Sequence, residues 1–351
     1  GFSDGTKDGG YIAANWAILR AKESLSEMAA SFGIEVVFFD GRGGPPARGG
    51  GETHQFYASL SPKIQNHATQ LTIQGQTISA NFGQVETAQY NLEQLLSAGV
   101  FNAIQPIAKE WDAMAYDILE QLAETSLNSY LAFKDHPKFV PYLEQVSTLK
   151  YYGQTNISSR PTKRNDEGGG LNFEDLRAIP FVGAWSQLKQ NVLGYYGVGT
   201  ALKNLIDAGR LSDLQGLYQN SGFFRTLMDN CMMSIAKSYM PLTAYLKHNP
   251  EFGEFWCLIN AEFERTKAAL LSVAQEDELL AKQHLRRASI EVRERIVLPL
   301  LTIQQYALQR IEELKQAGAD VGSINRELIE TYENMVTRSL YGNINASRNA
   351  V

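Results

Sequence analysis

Twelve residues, Asp40 to Gly51 (DGRGGPPARGGG), restrict what this chain can fold into more than any other stretch. They follow a short apolar run, Ile34–Phe39, that reads as a buried strand. Between Gly41 and Gly51 lie six glycines, two prolines and two arginines, Arg42 and Arg48. A flexible linker has no use for two arginines, and a core has no use for so much glycine. Glycine lets a backbone approach a ligand closely, and successive free N–H groups can cradle an anion. Arginine adds a planar fork that matches phosphate or carboxylate oxygens. The stretch predicts an anion site at the C-terminal end of a strand.

The rest of the chain must supply a scaffold for such a site. With 351 residues, 44% hydrophobic and 20% charged, it has the balance of a soluble globular protein of one large domain or two ordinary ones. A formal charge of −6 argues against a nucleic-acid partner. No run approaches the ~20 apolar residues of a membrane span, and no signal peptide is visible, so a cytoplasmic location is the default. The two cysteines, Cys231 and Cys257, read as reduced buried thiols. The opening Gly1-Phe2-Ser3-Asp4, without methionine, resembles a chain cut within a fold.

Periodicity places the elements. Gly1–Gly10 reads as a strand end and loop. Tyr11–Ser31 is helical, with Ile12, Trp16 and Leu19 on one face and Gly33 as its stop. Strand end, helix, strand and anion loop make a β/α unit, in which ligand loops follow parallel strands. Leu71–Ile73 and Gln76–Ile78 flank Gly75 and suggest a small hairpin. From Gln84 onward the pattern is overwhelmingly helical. Two aromatic stripes, Trp111 to Leu122 and Phe252 to Leu270, read as core. Pro299 should kink or interrupt a long helix at about 289–316. Leu176–Val182 looks like a further strand, preceded by a polar, glycine-rich interruption at 156–170.

Chemistry-bearing residues cluster around these segments. Asp4 is a hard oxygen donor suited to Mg²⁺ or Mn²⁺, though an ordinary Asp/Gly turn reads as well. Lys7 shares its short loop. Arg177 within a strand-like run needs a partner, either an anion or a salt bridge. Arg160 could hold an anion too, while Lys163 and Arg164 beside Gly168–Gly170 fit a mobile basic lid. The histidines show no metal spacing and no nucleophile–base pattern; His54 alone lies near the loop. A solvated or RNA-binding RGG loop is the rival reading, but such tracts are repetitive and basic, and this one is neither.

Three segments together resemble phosphoenolpyruvate carboxylase. FSDGTKDGG is similar to that family's G-[YF]-S-D-S-x-K-D-[AG]-G motif, and FDGRGGPPARGGG to its F-H-G-R-G-G-x-x-x-R-G-G-G loop. SSRPTKRNDEGGGLNFEDLRAIPFVGAW is similar to its G-S-R-P-x-K-R…L-R-A-I-P segment. The resemblance covers the C-terminal portion of that enzyme. It implies an α/β, predominantly α-helical fold. Late strands of an eight-stranded TIM-type β/α barrel (residues 1–182, with catalytic loops and inserted helices) would be followed by a C-terminal helical region (183–351). Gly1–Asp4, Ile34–Phe39 and Leu176–Val182 would be barrel strands.

The resemblance implies carboxylation of phosphoenolpyruvate by bicarbonate to oxaloacetate and phosphate. Lys7, Arg42, Arg48, Arg160 and Arg177 would be catalytic. Arg42, Arg160, Arg177, Lys163 and Arg164 would hold substrate. Asp4 would be one of two carboxylate ligands of Mg²⁺ or Mn²⁺. Aspartate or malate would inhibit by binding Arg48, Lys237, Arg293 and Asn349, drawing Arg48 away from catalysis. The full-length protein would be a homotetramer and the fragment alone inactive. The alternative within the family is a non-catalytic dicarboxylate-binding or assembly module. Asp40 stands where the family commonly has histidine, so it should face away or pair with an arginine.

Overall fold

Buried faces, more than intrinsic propensity, decide where helices form in this protein. The computed structural model describes residues 1–65, 68–73, 76–104, 111–153, 173–174, 176–316 and 323–347. Helix α1 spans Phe2–Gly9 in spite of two internal glycines. Phe2, Ser3, Thr6 and Lys7 are its buried side chains, and Asp4 sits favourably in its first turn. The expected strand end and loop at Gly1–Gly10 is therefore a helix; packing of Phe2 and Thr6 overrides the glycine content. Gly10, at φ 81°, breaks the helix and starts α2 (Tyr11–Ser31).

Helix α2 ends as the sequence predicts. Gly33 adopts φ 66°, its N–H reaches Ala30 O at 3.0 Å, and Ile34 N reaches Ala29 O at 2.9 Å. This paired closure satisfies the last carbonyls of the helix. Strand β1 (Phe38–Arg42) then runs later than the expected Ile34–Phe39 segment and includes the first loop arginine. Its parallel partner is β2 (Thr69–Ile73), in the register Phe38↔Thr69 through Arg42↔Ile73. Between them lie a 3-10 turn at Pro46–Arg48 and helix α3 (Thr53–Ala58). The expected hairpin at residues 71–78 is absent: its second half opens helix α4 (Gln76–Phe82).

Helices then follow in succession: α5 (Val85–Ile104), α6 (Ala113–Lys134), α7 (Phe139–Val146), α8 (Leu149–Tyr152) and α9 (Ala178–Gln187). Leu176–Val182 is thus no strand. Arg177 is the N-cap of α9 and Pro180 lies in its first turn, where a missing N–H costs nothing. Next come α10 (Val198–Asp207), α11 (Leu211–Asn220), α12 (Gly222–Ala236), α13 (Gly253–Ala274), α14 (His284–Gln316) and α15 (Ser323–Ser347). Pro299 sits inside α14 without ending it. Its missing bond is offset by packing along the partner helix α15.

The main core gathers aromatic residues from α6, α7, α9 and α13. Phe133 lies edge-on to Phe139 at 5.1 Å and stacks on Phe255 at 5.1 Å. Both predicted stripes contribute, through Ile118, Leu119, Phe255 and Ile259, although Met114 faces solvent. A second cluster joins Tyr151 and Tyr152 to Leu308, Ile311, Val336 and Leu340 of the α14–α15 pair. Cys231 is buried as expected, whereas Cys257 is exposed on α13. Among the described residues, no helix is long and apolar enough to cross a membrane.

Candidate active site and anion pocket

Helix α1 packs against β1, the Pro46–Arg48 turn and α9, and so brings the predicted cations into one neighbourhood. Arg42 leaves the end of β1 and is 6% exposed. Its Nε donates to Gly49 O across the loop. Its guanidinium lies over aromatic rings, 4.4 Å from the Phe56 centroid, 5.0 Å from Tyr57 and 5.6 Å from Phe2. Such faces hold a cation without neutralising it. Among the described residues, Nη1 is buried with no hydrogen-bond partner. It is the kind of donor an anionic ligand would take up.

Arg48 is fully buried. Its Nε donates to Ser3 Oγ at 3.2 Å. Burial pushes the guanidinium down to about 10, and the Asp4 carboxylate pulls the other way. Asp4 itself faces solvent from the first turn of α1. Lys7, on the buried side of the same helix, places Nζ 4.6 Å from the Phe173 ring centroid and 3.7 Å from Asp8 Oδ1. Arg177 opens α9, which packs on α1; its Nε is buried with no partner among the described residues. Arg160, Lys163, Arg164 and Asn349 lie outside the described residues.

Much of the loop's backbone is paired with itself. Gly43 N donates to Arg48 O at 2.8 Å, and Arg48 N, Gly49 N and Gly50 N donate to Pro45 O, Pro46 O and Pro45 O, each at 2.9 Å. Four of the expected anion-binding N–H groups are thus consumed by the loop's own turn. The guanidinium groups are the loop's charged donors. The glycines serve compactness: a Cβ on Gly50 would lie 1.9 Å from Gly44 O, and one on Gly43 would lie 2.7 Å from Arg48 Cζ.

Asp40 departs from expectation in its partner. It accepts from Lys22 Nζ at 2.7 Å and from Tyr57 Oη at 2.8 Å, rather than from an arginine. Burial pushes Lys22 down, and Asp40 opposes it. This buried pair fixes β1 to α2 and takes the carboxylate out of competition for the loop arginines.

Two pockets flank the loop. One is lined by Arg42, Gly43, Gly44, Gly50 and Gly51 with residues of α4 and α5. The other is lined by Pro45–Ala47 on one side and by Lys189, Lys237, Arg293 and Glu294 on the other. The structure therefore brings Lys237 and Arg293 to one pocket, beside the turn that carries Arg48. Burial pushes the Lys237 ammonium down to about 8, with Lys189 and Arg293 adding repulsion and Glu294 opposing them.

Lys189 and Glu294 escaped sequence reasoning. They form an ion pair at 2.6 Å. The available signal was a lysine in an otherwise apolar or neutral stretch, FVGAWSQLKQNVLGYYG. His54 lines a separate, larger cleft with Trp111 and Arg225 and does not border either loop pocket. Among the described residues there is no cluster of three or more histidines, cysteines or carboxylates. Asp4 and Asp8 are both solvent-facing carboxylates of α1. That suits a hard ion that takes one or two protein carboxylates and completes its shell with water and substrate.

The model of the phosphoenolpyruvate carboxylase family matches residues 1–346. The chain is 34% identical over 328 residues to a phosphoenolpyruvate carboxylase of Corynebacterium glutamicum, covering 90% of this chain and 35% of that protein. It is 33% identical over 351 residues to that of Corynebacterium diphtheriae, covering 96% and 38%. With the Rhodothermus marinus protein it shares 31% over 328 residues, covering 91% and 35%. The chain thus spans just over a third of the length of these curated relatives.

Proposed function

Because the chain belongs to the phosphoenolpyruvate carboxylase family, we propose that it is the C-terminal catalytic and regulatory part of such an enzyme. Residues 1–182 would supply late elements of a β/α barrel, and 183–351 the helical region with an inhibitor pocket. The observation that carries this reading is the convergence on α1. Buried Arg42, Arg48 and Lys7, with Arg177 at the start of α9, gather positive charge around one short helix.

The proposed reaction concentrates negative charge at each step, and these cations match that demand. A bicarbonate oxygen attacks the phosphorus of phosphoenolpyruvate, the bridging P–O bond breaks, and carboxyphosphate and the enolate of pyruvate result. Loss of the carboxyphosphate proton to a base gives CO₂ and phosphate, and the enolate carbon attacks CO₂. Arg42 and Arg177 would hold the phosphoryl oxygens, with Arg160, Lys163 and Arg164 closing over them. Lys7 would compensate charge on α1. Arg48 would hold the enolate and CO₂ together for the second half. Asp4 would be a ligand of Mg²⁺ or Mn²⁺, which when bound supplies electrostatic stabilisation of developing oxyanion charge. Exclusion of water protects the enolate from protonation.

The pocket between Pro45–Ala47 and Lys237–Arg293 would bind an inhibitory dicarboxylate, aspartate or malate, with Asn349. Its own cations support this reading, and they would equally serve a non-catalytic dicarboxylate-binding module of the same family. The test is a bicarbonate- and Mg²⁺-dependent oxaloacetate assay on the full-length protein, coupled to malate formation. Arg48→Ser should cut oxaloacetate formation by at least about 100-fold while phosphate release continues. Equal loss of both products would refute the separate duty of Arg48. Absence of any carboxylation by the wild-type protein would favour the non-catalytic module.

A further inference from the structure

A pocket built for any dianion gains nothing from a carboxylate in its wall, since like charges repel. Yet Glu294 lines the pocket that holds Lys189, Lys237 and Arg293. Its side chain is 21% exposed, and Oε1 accepts from Lys189 Nζ at 2.6 Å. Among the described residues, no hydrogen bond engages its Oε2. Lys189 in turn is fixed from below. Its backbone holds the left-handed φ of 55° that lysine seldom adopts. Lys189 N donates to Ser186 O at 3.0 Å, and Lys189 O accepts from Tyr239 N at 2.8 Å. Glu294 is therefore a positioned acceptor and not a loose surface chain.

A second acceptor lines the same pocket. Asn343 is 1% exposed, and its Oδ1 has no hydrogen-bond partner among the described residues. A pocket with cations for carboxylates, plus a carboxylate and an amide oxygen for donors, suits a ligand that carries all three features. A hydroxyl offers one hydrogen and no charge. An ammonium offers three hydrogens and a full positive charge.

We propose that Glu294 makes this pocket a reader of amino dicarboxylates, selecting L-aspartate over L-malate by accepting its α-ammonium group. The inference rests on the dicarboxylate-site reading above and names the ligand class of that site. The two carboxylates of aspartate meet Lys237 and Arg293, and its ammonium meets Glu294 Oε2 while Lys189 keeps Oε1. Asn343 Oδ1 takes a further N–H.

The experiment is calorimetric titration of the full-length protein with L-aspartate, L-malate and succinate, for wild type, Glu294→Gln and Glu294→Asp. Wild type should prefer aspartate over malate by about tenfold, the discrimination expected of one charge-assisted hydrogen bond. Glu294→Gln removes a negative charge from the pocket, so malate and succinate should bind more tightly. Aspartate loses its ammonium partner, and the preference should vanish or reverse. Glu294→Asp keeps the charge and should retain a preference for aspartate. If Glu294 serves only to neutralise Lys189, Glu294→Gln will strengthen all three ligands alike and leave their ratios unchanged; that result overturns the proposal. So does a wild-type protein that binds aspartate and malate equally. Failure of all three dicarboxylates to bind overturns the underlying site as well, and is distinguishable from loss of selectivity alone.

Discussion

Asp40 shows how one residue can protect a site it does not enter. Its carboxylate is buried two positions before Arg42, yet Lys22 and Tyr57 claim it. Asp40→Asn would leave Lys22 buried beside a neutral amide. Removing one partner of a buried pair costs about 3 kcal/mol, and urea unfolding should show a loss of that size. Lys237 makes the second residue-level case. Its ammonium is pushed down to about 8 by burial, Lys189 and Arg293, against Glu294. A lysine is charged below its pKa, so a dicarboxylate meets a cation below about pH 8 and a neutral amine above it. Inhibitor affinity should therefore be constant below this value and fall as pH rises through it, by up to about tenfold per unit. The bound anion favours the charged form, so the midpoint in the complex lies above that of the free site. Calorimetric titration of aspartate from pH 7 to 9.5 checks this; affinity that rises with pH would contradict it.

At the scale of elements, legibility in the sequence followed periodicity. Helix α2 was readable to its last turn because Ile12, Trp16 and Leu19 share a face and Gly33 closes it. Helices α1 and α9 were not. Four glycines within Gly1–Gly10 imitate a loop, and the branched run around Pro180 imitates a strand; only contact between the two helices reveals their buried sides. The loop's composition suggested an anion site but not how the backbone is arranged. Its arginines stand out in the sequence, whereas four of its amides, those of Gly43, Arg48, Gly49 and Gly50, are spent on its own carbonyls, a pairing invisible without coordinates. Lys189 and Glu294 stand 105 residues apart, so their pairing has no local signal even though Lys189 stands out in its apolar stretch. The loop's tight closure makes its own prediction. Gly50→Ala forces Gly44 O away from a Cβ that would lie 1.9 Å from it. The variant should lose about 2 kcal/mol or more of stability and lose phosphate release together with carboxylation, measured by unfolding and by the coupled assay.

Across the whole molecule, several apolar side chains remain uncovered. Phe39 projects from β1 at 67% exposure, and Leu285, Val292, Ile296 and Ile303 form an exposed stripe along α14. In the proposed parent enzyme these faces would be available for further protein to cover. Under the proposed reading the 351-residue chain by itself should not produce oxaloacetate, because Asp4 would be one of two metal carboxylates and the chain spans just over a third of its relatives' length. Steady turnover by the purified chain would refute this. The loop bears on how the complete enzyme would respond to its inhibitor. Four backbone bonds join Gly43, Arg48, Gly49 and Gly50 to carbonyls of the same loop, so its two faces belong to one stiff body. Arg48, carried on that body, would serve either the reaction or the inhibitor and not both at once. Under the proposed regulation each subunit is fully on or fully off, and a graded dose curve is a census of two kinds of subunit, not a dimming of every one.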